Sequence, residues 1–220
     1  MQKKIRGIIL FIKVYKENDL LIKLLSDSDE IITGIVYGGL SKKKRNIFQL
    51  GFFLNFNILT NSNKPPNISG ELTNPFFSEI LDNRYKLNGL LSTISIINLS
   101  ILEGQKINNI FEITEDFLTS MLHKKNWVYE YCVFLFNLLK IIGYQIDYSK
   151  KNNFQYFDLN TLEFTNINNN NTCSFPHAIF ENKKVTKNNY KFIIDILTIF
   201  ETVFFKHHLA NYNLQLPNHY

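Results

Sequence analysis

Phe52-Phe53-Leu54-Asn55-Phe56-Asn57-Ile58-Leu59 places Phe52, Leu54, Phe56 and Ile58 on one face and Asn55 and Asn57 on the other. A period of two belongs to a strand with one buried and one wet face. Working back toward the N-terminus, Ile5–Val14 is β-rich and Leu20–Leu25 follows a turn at Glu17-Asn18-Asp19. Ile31–Tyr37 then follows Asp27-Ser28-Asp29. Working forward, Asn61–Pro66 is a turn, and Ile68–Thr73 is a fifth short strand with Gly70 at a bend. Five short strands without a helical period predict a small antiparallel barrel over residues 1–80. The strand count fits a five-stranded OB-type barrel, and periodicity does not separate it from an SH3-like one.

From Asn83 the period changes. Arg84–Leu102, Ile107–Leu122, Trp127–Ile142 and Val185–Leu209 carry apolar residues at helical spacing, with Gly143 as a helix stop. Phe154–Phe157 and Leu162–Phe164 predict a small hairpin, and Asn166–Asn171 reads as a mobile loop. The expected architecture is α+β, an OB-type barrel (residues 1–80) followed by a helical domain (residues 81–220). Length favours it: 220 residues allow one large domain or two small ones.

Composition narrows the function classes. Hydrophobic residues at 45% and charged residues at 20% argue against a disordered or fibrous chain. The 29 Asn, and 21 Lys against 3 Arg, look like a bias acting on the whole chain, so no argument rests on a single Asn or Lys. Two cysteines without a CxxC partner exclude a disulfide framework and a four-cysteine zinc site, and suit a reducing cytosol. Gly7–Ile12 is short for a signal-peptide core, and no apolar run approaches the roughly 18 residues that span a bilayer. The expectation is a soluble cytoplasmic protein with no membrane partner.

Charge is unevenly spread. Residues 1–64 hold 11 cations against 5 anions, a balance of +6, and the remainder is close to neutral. Lys42-Lys43-Lys44-Arg45 supplies much of the excess. The run is either a solvated loop or a surface for a polyanion. No enzyme signature accompanies it. Cys132 lies in an apolar helix, and Cys173 and His177, four apart, show no orienting third group. His123 and His207-His208 lack a carboxylate at metal spacing and read as solvated helix-end histidines. Glu115-Asp116 reads as a pair presented to water. Gly38-Gly39 reads as a strand-end turn, not a phosphate loop, leading into a charge run rather than a helix. No catalytic residue, metal or cofactor is expected.

The basic run leaves the third strand of the expected barrel. OB folds receive single strands in a groove there, using backbone cations and stacking aromatics. Lys42, Lys43, Lys44 and Arg45 are the candidate phosphate contacts, and Tyr37 is either a stacking platform or barrel filler.

These stretches carry a family resemblance. Gly7-Ile8-Ile9-Leu10, Tyr15-Lys16-Glu17-Asn18-Asp19, Gly34–Gly39 with Leu40-Ser41 and the lysines, and Phe48-Gln49-Leu50-Gly51 resemble the N-terminal OB domain of the RecO family of bacterial recombinational-repair mediators. Leu138–Asp147 is similar to a RecO helix end, and His208-Leu209-Ala210 with Leu216-Pro217 to its closing helix and tail. The resemblance implies a non-enzymatic protein that binds single- and double-stranded DNA and anneals complementary strands. It further implies work with RecR to load RecA onto DNA covered by single-strand-binding protein, with RecF as a further partner. The acidic tail of single-strand-binding protein would be recognised by the helical domain, through an apolar pocket rimmed by lysines. Candidates for that rim are Lys124-Lys125, Lys140, Lys183-Lys184 and Lys206. Many family members carry a four-cysteine zinc module, but Tyr148–Asn153 holds no cysteine, so no zinc is expected. The tail Asn218-His219-Tyr220 lacks the basic residues a DNA contact there requires. The rival expectation is a protein-interaction adaptor with a solvated basic loop and no annealing activity.

Overall fold

The computed structural model describes residues 1–61, 64–73, 78–144, 146, 154–177 and 190–212. They form two compact units, Met1–Leu122 and His123–Gln215.

The first unit opens with the barrel. Strands β1 (Gln2–Tyr15), β2 (Asp19–Ser26), β3 (Ile31–Val36), β4 (Phe53–Asn61) and β5 (Lys64–Leu72) close in the order β1-β2-β3-β5-β4. Every pairing is antiparallel except β3 with β5, which meet in parallel at Ile35 and Asn67. This is the OB-type alternative. Closure depends on Gly34, where a Cβ would stand 2.6 Å from both Pro66 O and Ile68 Cδ1. Inside, Leu54, Phe56 and Ile58 of the alternating stretch join Ile8, Ile9, Ile22, Leu24 and Ile68 in the core.

β1 is longer than the apolar run suggests because it bends. Its register with β2 shifts between Ile9 and Phe11, leaving Leu10 as an extra residue. Such a bulge reverses the parity of the strand. Before it the odd residues Ile5, Gly7 and Ile9 are buried. After it the odd residues Phe11, Lys13 and Tyr15 are exposed on the face opposite to Ile12, which pairs with buried Ile22, and Val14 near the strand end is exposed as well, at 58%.

A short helix α1 (Lys42–Arg45) follows β3, and α2 (Ser78–Leu81), α3 (Arg84–Ser100) and α4 (Ile110–His123) follow β5. Asn83 caps α3 by accepting from the N–H groups of Tyr85 and Lys86 at 3.1 and 3.2 Å. The compact unit runs past this change of period because α4 is fastened to the barrel. Asp29, in the β2–β3 turn, accepts from Asn109 N at 2.9 Å and Phe111 N at 3.0 Å. Phe111 meets Phe53 edge to face at 5.9 Å, and the Arg6 guanidinium lies over both rings. Arg6 also grips Glu115 with both guanidinium arms, Nη1 to Oε2 at 3.1 Å and Nη2 to Oε1. The expectation that Glu115 faces water is corrected: its carboxylate is half-buried in this fork.

The second unit holds α5 (Trp127–Ile141), a three-stranded sheet in the order β7-β6-β8, and α6 (Tyr190–Thr202). α5 ends as Gly143 suggests. That glycine sits at φ +98°, with Tyr144 N donating to Leu139 O and Gly143 N to Lys140 O, a Schellman arrangement.

The hairpin is a sheet of three strands: β6 (Tyr156–Asp158) pairs with β7 (Phe164–Thr165) and with β8 (Thr172–Ser174). The Asn stretch between β7 and β8 is a hydrogen-bonded turn, Asn169 Oδ1 accepting from Asn171 N at 2.8 Å and Thr172 Oγ1 from Asn169 N at 2.9 Å. The last helix does not remain α-helical to Leu209, because Val203–Leu209 is wound as a π-helix. His208 is not solvated there. It is 4% exposed, stacked on Phe204 and edge-on to Tyr144 and Tyr212. The start of the predicted Val185–Leu209 helix lies outside the described residues, as do Tyr148–Asn153, Lys183-Lys184 and residues 216–220.

Candidate nucleic-acid interface

β3 ends at Val36 and the chain turns at once. Gly38 adopts φ +62°, and Gly39 passes so close to Leu20 that a Cβ would meet its Cγ at 2.7 Å. The two glycines therefore make a strand-end turn, as the sequence suggests. That turn is laced to the β1–β2 turn. Asp19 Oδ1 accepts from Gly38 N at 2.8 Å, and Asn18 O accepts from Leu40 N at 3.1 Å. Lys16, at φ +56° in the β1–β2 turn, thus shares one end of the barrel with the residues after Gly39.

The charge run does lead into helix, one turn long, which corrects the sequence reading. Arg45 N donates to Ser41 O at 2.9 Å, and Phe48, buried just beyond, anchors the turn in the barrel. At 100° per residue one turn cannot aim four cations in one direction. Lys42 and Arg45, three apart, share a side. Lys43 points away from them, and Lys44 folds back to donate to Tyr37 O at 2.6 Å. Lys42, Lys43 and Arg45 are exposed, and among the described residues no carboxylate pairs with any of the four.

Tyr37 is 46% exposed beside this turn, which places it outside the barrel core rather than as filler. Lys16 adds a cation at the same end, its Nζ 5.5 Å from the Tyr15 ring centroid. In the sequence Glu17-Asn18-Asp19 reads as a turn and as part of the family resemblance, with no sign of a tie to the basic run. The partners of Asn18 and Asp19 lie about twenty residues downstream, and no local signal announces them.

Elsewhere the cations are compensated or separate. An open groove of about 480 Å³ across β1, β4 and β5 sets Lys4 and Arg6 against Asp27 and Glu71, with Asn55 and Asn57 between. Its charges balance, and Arg6 is committed to Glu115. Of the lysines proposed as a rim in the helical domain, Lys124 pairs with Glu130 at 2.8 Å, while Lys125, Lys140 and Lys206 are exposed. Burial pushes the thiols of Cys132 and Cys173 up to about 12, Asp195 adding to the effect at Cys173, so neither is a ready thiolate at neutral pH. No group of three or more His, Cys, Asp or Glu able to hold a metal ion occurs among the described residues. No described helix is long and apolar enough to cross a membrane.

Fold and site together define an OB-barrel protein with an uncompensated cationic end and a helical continuation. The chain is 30% identical over 145 residues to DNA repair protein RecO of Rickettsia canadensis (66% of this chain, 59% of the relative). It is 28% identical over 146 residues to that of Rickettsia akari, covering 66% and 60%. A longer match, 26% over 209 residues, covers 84% of this chain and 83% of DNA repair protein RecO of Mycoplasma mycoides subsp. mycoides. The chain spans about three-fifths of the length of the two Rickettsia relatives. No family model matches it. These three matches, at 26–30% identity, support assignment of the chain to the RecO family.

Proposed function

We propose that this protein acts in DNA repair by binding single- and double-stranded DNA without sequence preference and by annealing complementary strands. The observation that carries the reading is the end of the OB-type barrel. There Lys42, Lys43 and Arg45 stand exposed with no carboxylate partner among the described residues, and Tyr37 lies open beside them. Flexible ammonium groups suit phosphate as point charges rather than bidentate reading of base edges. Neutralising phosphates on two strands lowers their mutual repulsion as they pair, so no covalent step is needed and no catalytic residue is assigned. The names of the relatives support a repair role. The proposed partners are RecR and the acidic tail of single-strand-binding protein, with RecA, and RecF where it takes part, further along the pathway. Lys125, Lys140 and Lys206 are the rim candidates for that tail, and the site of action is the bacterial cytoplasm at the nucleoid.

Replacing Lys42, Lys43, Lys44 and Arg45 together by Ala tests the assignment. Each lost phosphate contact flattens the log–log salt dependence of single-strand binding by roughly 0.7, so three free cations predict a change of roughly 2. An unchanged slope removes these residues from the interface. Failure of the unaltered protein to accelerate annealing of complementary oligonucleotides would instead favour the adaptor.

A further inference from the structure

The strand face exposed by the β1 bulge belongs to no role assigned above. Beyond Leu10, Phe11, Lys13 and Tyr15 point outward in succession, an aromatic–cation–aromatic row with both rings substantially exposed at 39% and 37%. On β2, Lys23 lies directly opposite Phe11, Leu21 opposite Lys13, and Asp19 opposite Tyr15. Asp19, the one acid among them, is occupied by the Gly38 N–H. Lys16 stands over the Tyr15 ring. The row runs toward the same barrel end that carries Lys42–Arg45, because the β1–β2 turn is hydrogen-bonded to the turn before α1.

We infer that Phe11 and Tyr15, with Lys13 between them and Lys23 alongside, form a stacking track for the unpaired bases of single-stranded nucleic acid. This rests on the DNA-binding reading above and adds a division of labour to it. At about 3.4 Å per residue the four steps from Phe11 to Tyr15 cover roughly 14 Å. That is roughly four nucleotides at the spacing of stacked bases, and fewer in an extended strand. This matches the lower end of the roughly 4–16 nucleotides an OB fold covers. Cations on the same face meet the phosphates, which is the complementarity that selects a nucleic acid over an apolar partner. A duplex offers no such match: its bases are already stacked on one another and present only edges in the grooves. The α1 cations therefore serve both forms of DNA, whereas the ring track serves single strands alone.

The test pairs Phe11→Leu/Tyr15→Leu with Phe11→Ala/Tyr15→Ala. The leucine pair keeps apolar cover over the barrel, so a folding defect in the alanine pair does not decide the matter. Binding of an oligo-dT strand and of a duplex of equal length is followed by fluorescence anisotropy at one fixed salt concentration. A 2-aminopurine base within the single strand reports stacking. With roughly fivefold lost per ring, the low end for base stacking, the leucine pair weakens single-strand binding roughly 25-fold. Its duplex binding stays within about twofold, and the 2-aminopurine quenching seen with the unaltered protein is lost. Unchanged single-strand affinity, or equal losses on both ligands, overturns the track while leaving the DNA-binding reading in place. An unaltered protein that binds neither oligonucleotide overturns the parent reading.

Discussion

The two halves of β1 differ in composition and in fate: Gln2–Ile9 carries Lys3, Lys4 and Arg6 without an aromatic, whereas Phe11–Tyr15 sets one lysine between two aromatics. Before Leu10 the outward residues Lys4 and Arg6 face carboxylates. Arg6 is locked to Glu115 and to the Phe53 and Phe111 rings, and Lys4 shares a groove with Asp27 and Glu71. After Leu10 the outward residues Phe11, Lys13 and Tyr15 face neighbours whose one acid is already engaged by a backbone N–H. The first half commits Arg6 to α4 through Glu115, whereas in the second half no described carboxylate pairs with Lys13. A single bulge separates the two, so a strand can change role along its length without leaving the sheet.

Deleting Leu10 has the largest expected effect on stability. Ile9 and Phe11 already lie opposite Leu24 and Lys23, which are consecutive, so the shortened strand keeps Ile9 inward and Phe11, Lys13 and Tyr15 outward. What it loses is the bend of the bulge and the buried Leu10 side chain, 3% exposed. Removal of a buried leucine side chain costs about 2–5 kcal/mol, so the thermal transition followed by circular dichroism should shift clearly downward while the folded variant still binds oligo-dT. A folded variant that no longer binds oligo-dT would show that the bulge itself, and not only the outward faces, sets the difference between the halves.

A smaller effect is expected from the pair that fixes the first half. Arg6→Met and Glu115→Gln, alone and together, measure their coupling by urea denaturation. Both side chains are more than a quarter exposed, so a coupling of about 0.5–1 kcal/mol is expected despite the two-armed geometry. DNA affinity should not move by more than about twofold, because the first half is structural. A large loss of binding would transfer Arg6 to the interface.

What the sequence made legible follows the same division. Phe52–Leu59 announces its strand because alternation is a local property, and Gly143 announces a helix stop because only a few residues accept its backbone angles. The bulge is invisible in Gly7–Ile12. A run that is apolar throughout hides which side chains face in, and parity is set only when β1 pairs with β2 and β4. β8 hid behind the Asn stretch, since asparagines read as loop whether or not their amides close a turn. The π-helical winding of Val203–Leu209 eluded reading because apolar spacing there fits an α-helix equally well. The basic run was plain as charge, yet its fan-like splay and the turning back of Lys44 come from one helical turn and a carbonyl seven residues away.

The mildest test exchanges charge within each half. Lys4→Glu and Lys13→Glu alter net charge by the same amount, so any long-range field effect on DNA encounter is nearly equal for the two. Their difference isolates local contact. Lys13→Glu places a carboxylate in the aromatic row, where it removes one phosphate contact and repels the strand. The salt slope of oligo-dT binding should flatten by roughly 0.7, with affinity falling several-fold. Lys4→Glu adds an anion to a groove that already holds Asp27 and Glu71, and the slope should stay as it was. Equal changes in both variants would mean that DNA senses only the overall charge of the barrel, and the distinction between the halves of β1 would then be one of folding alone.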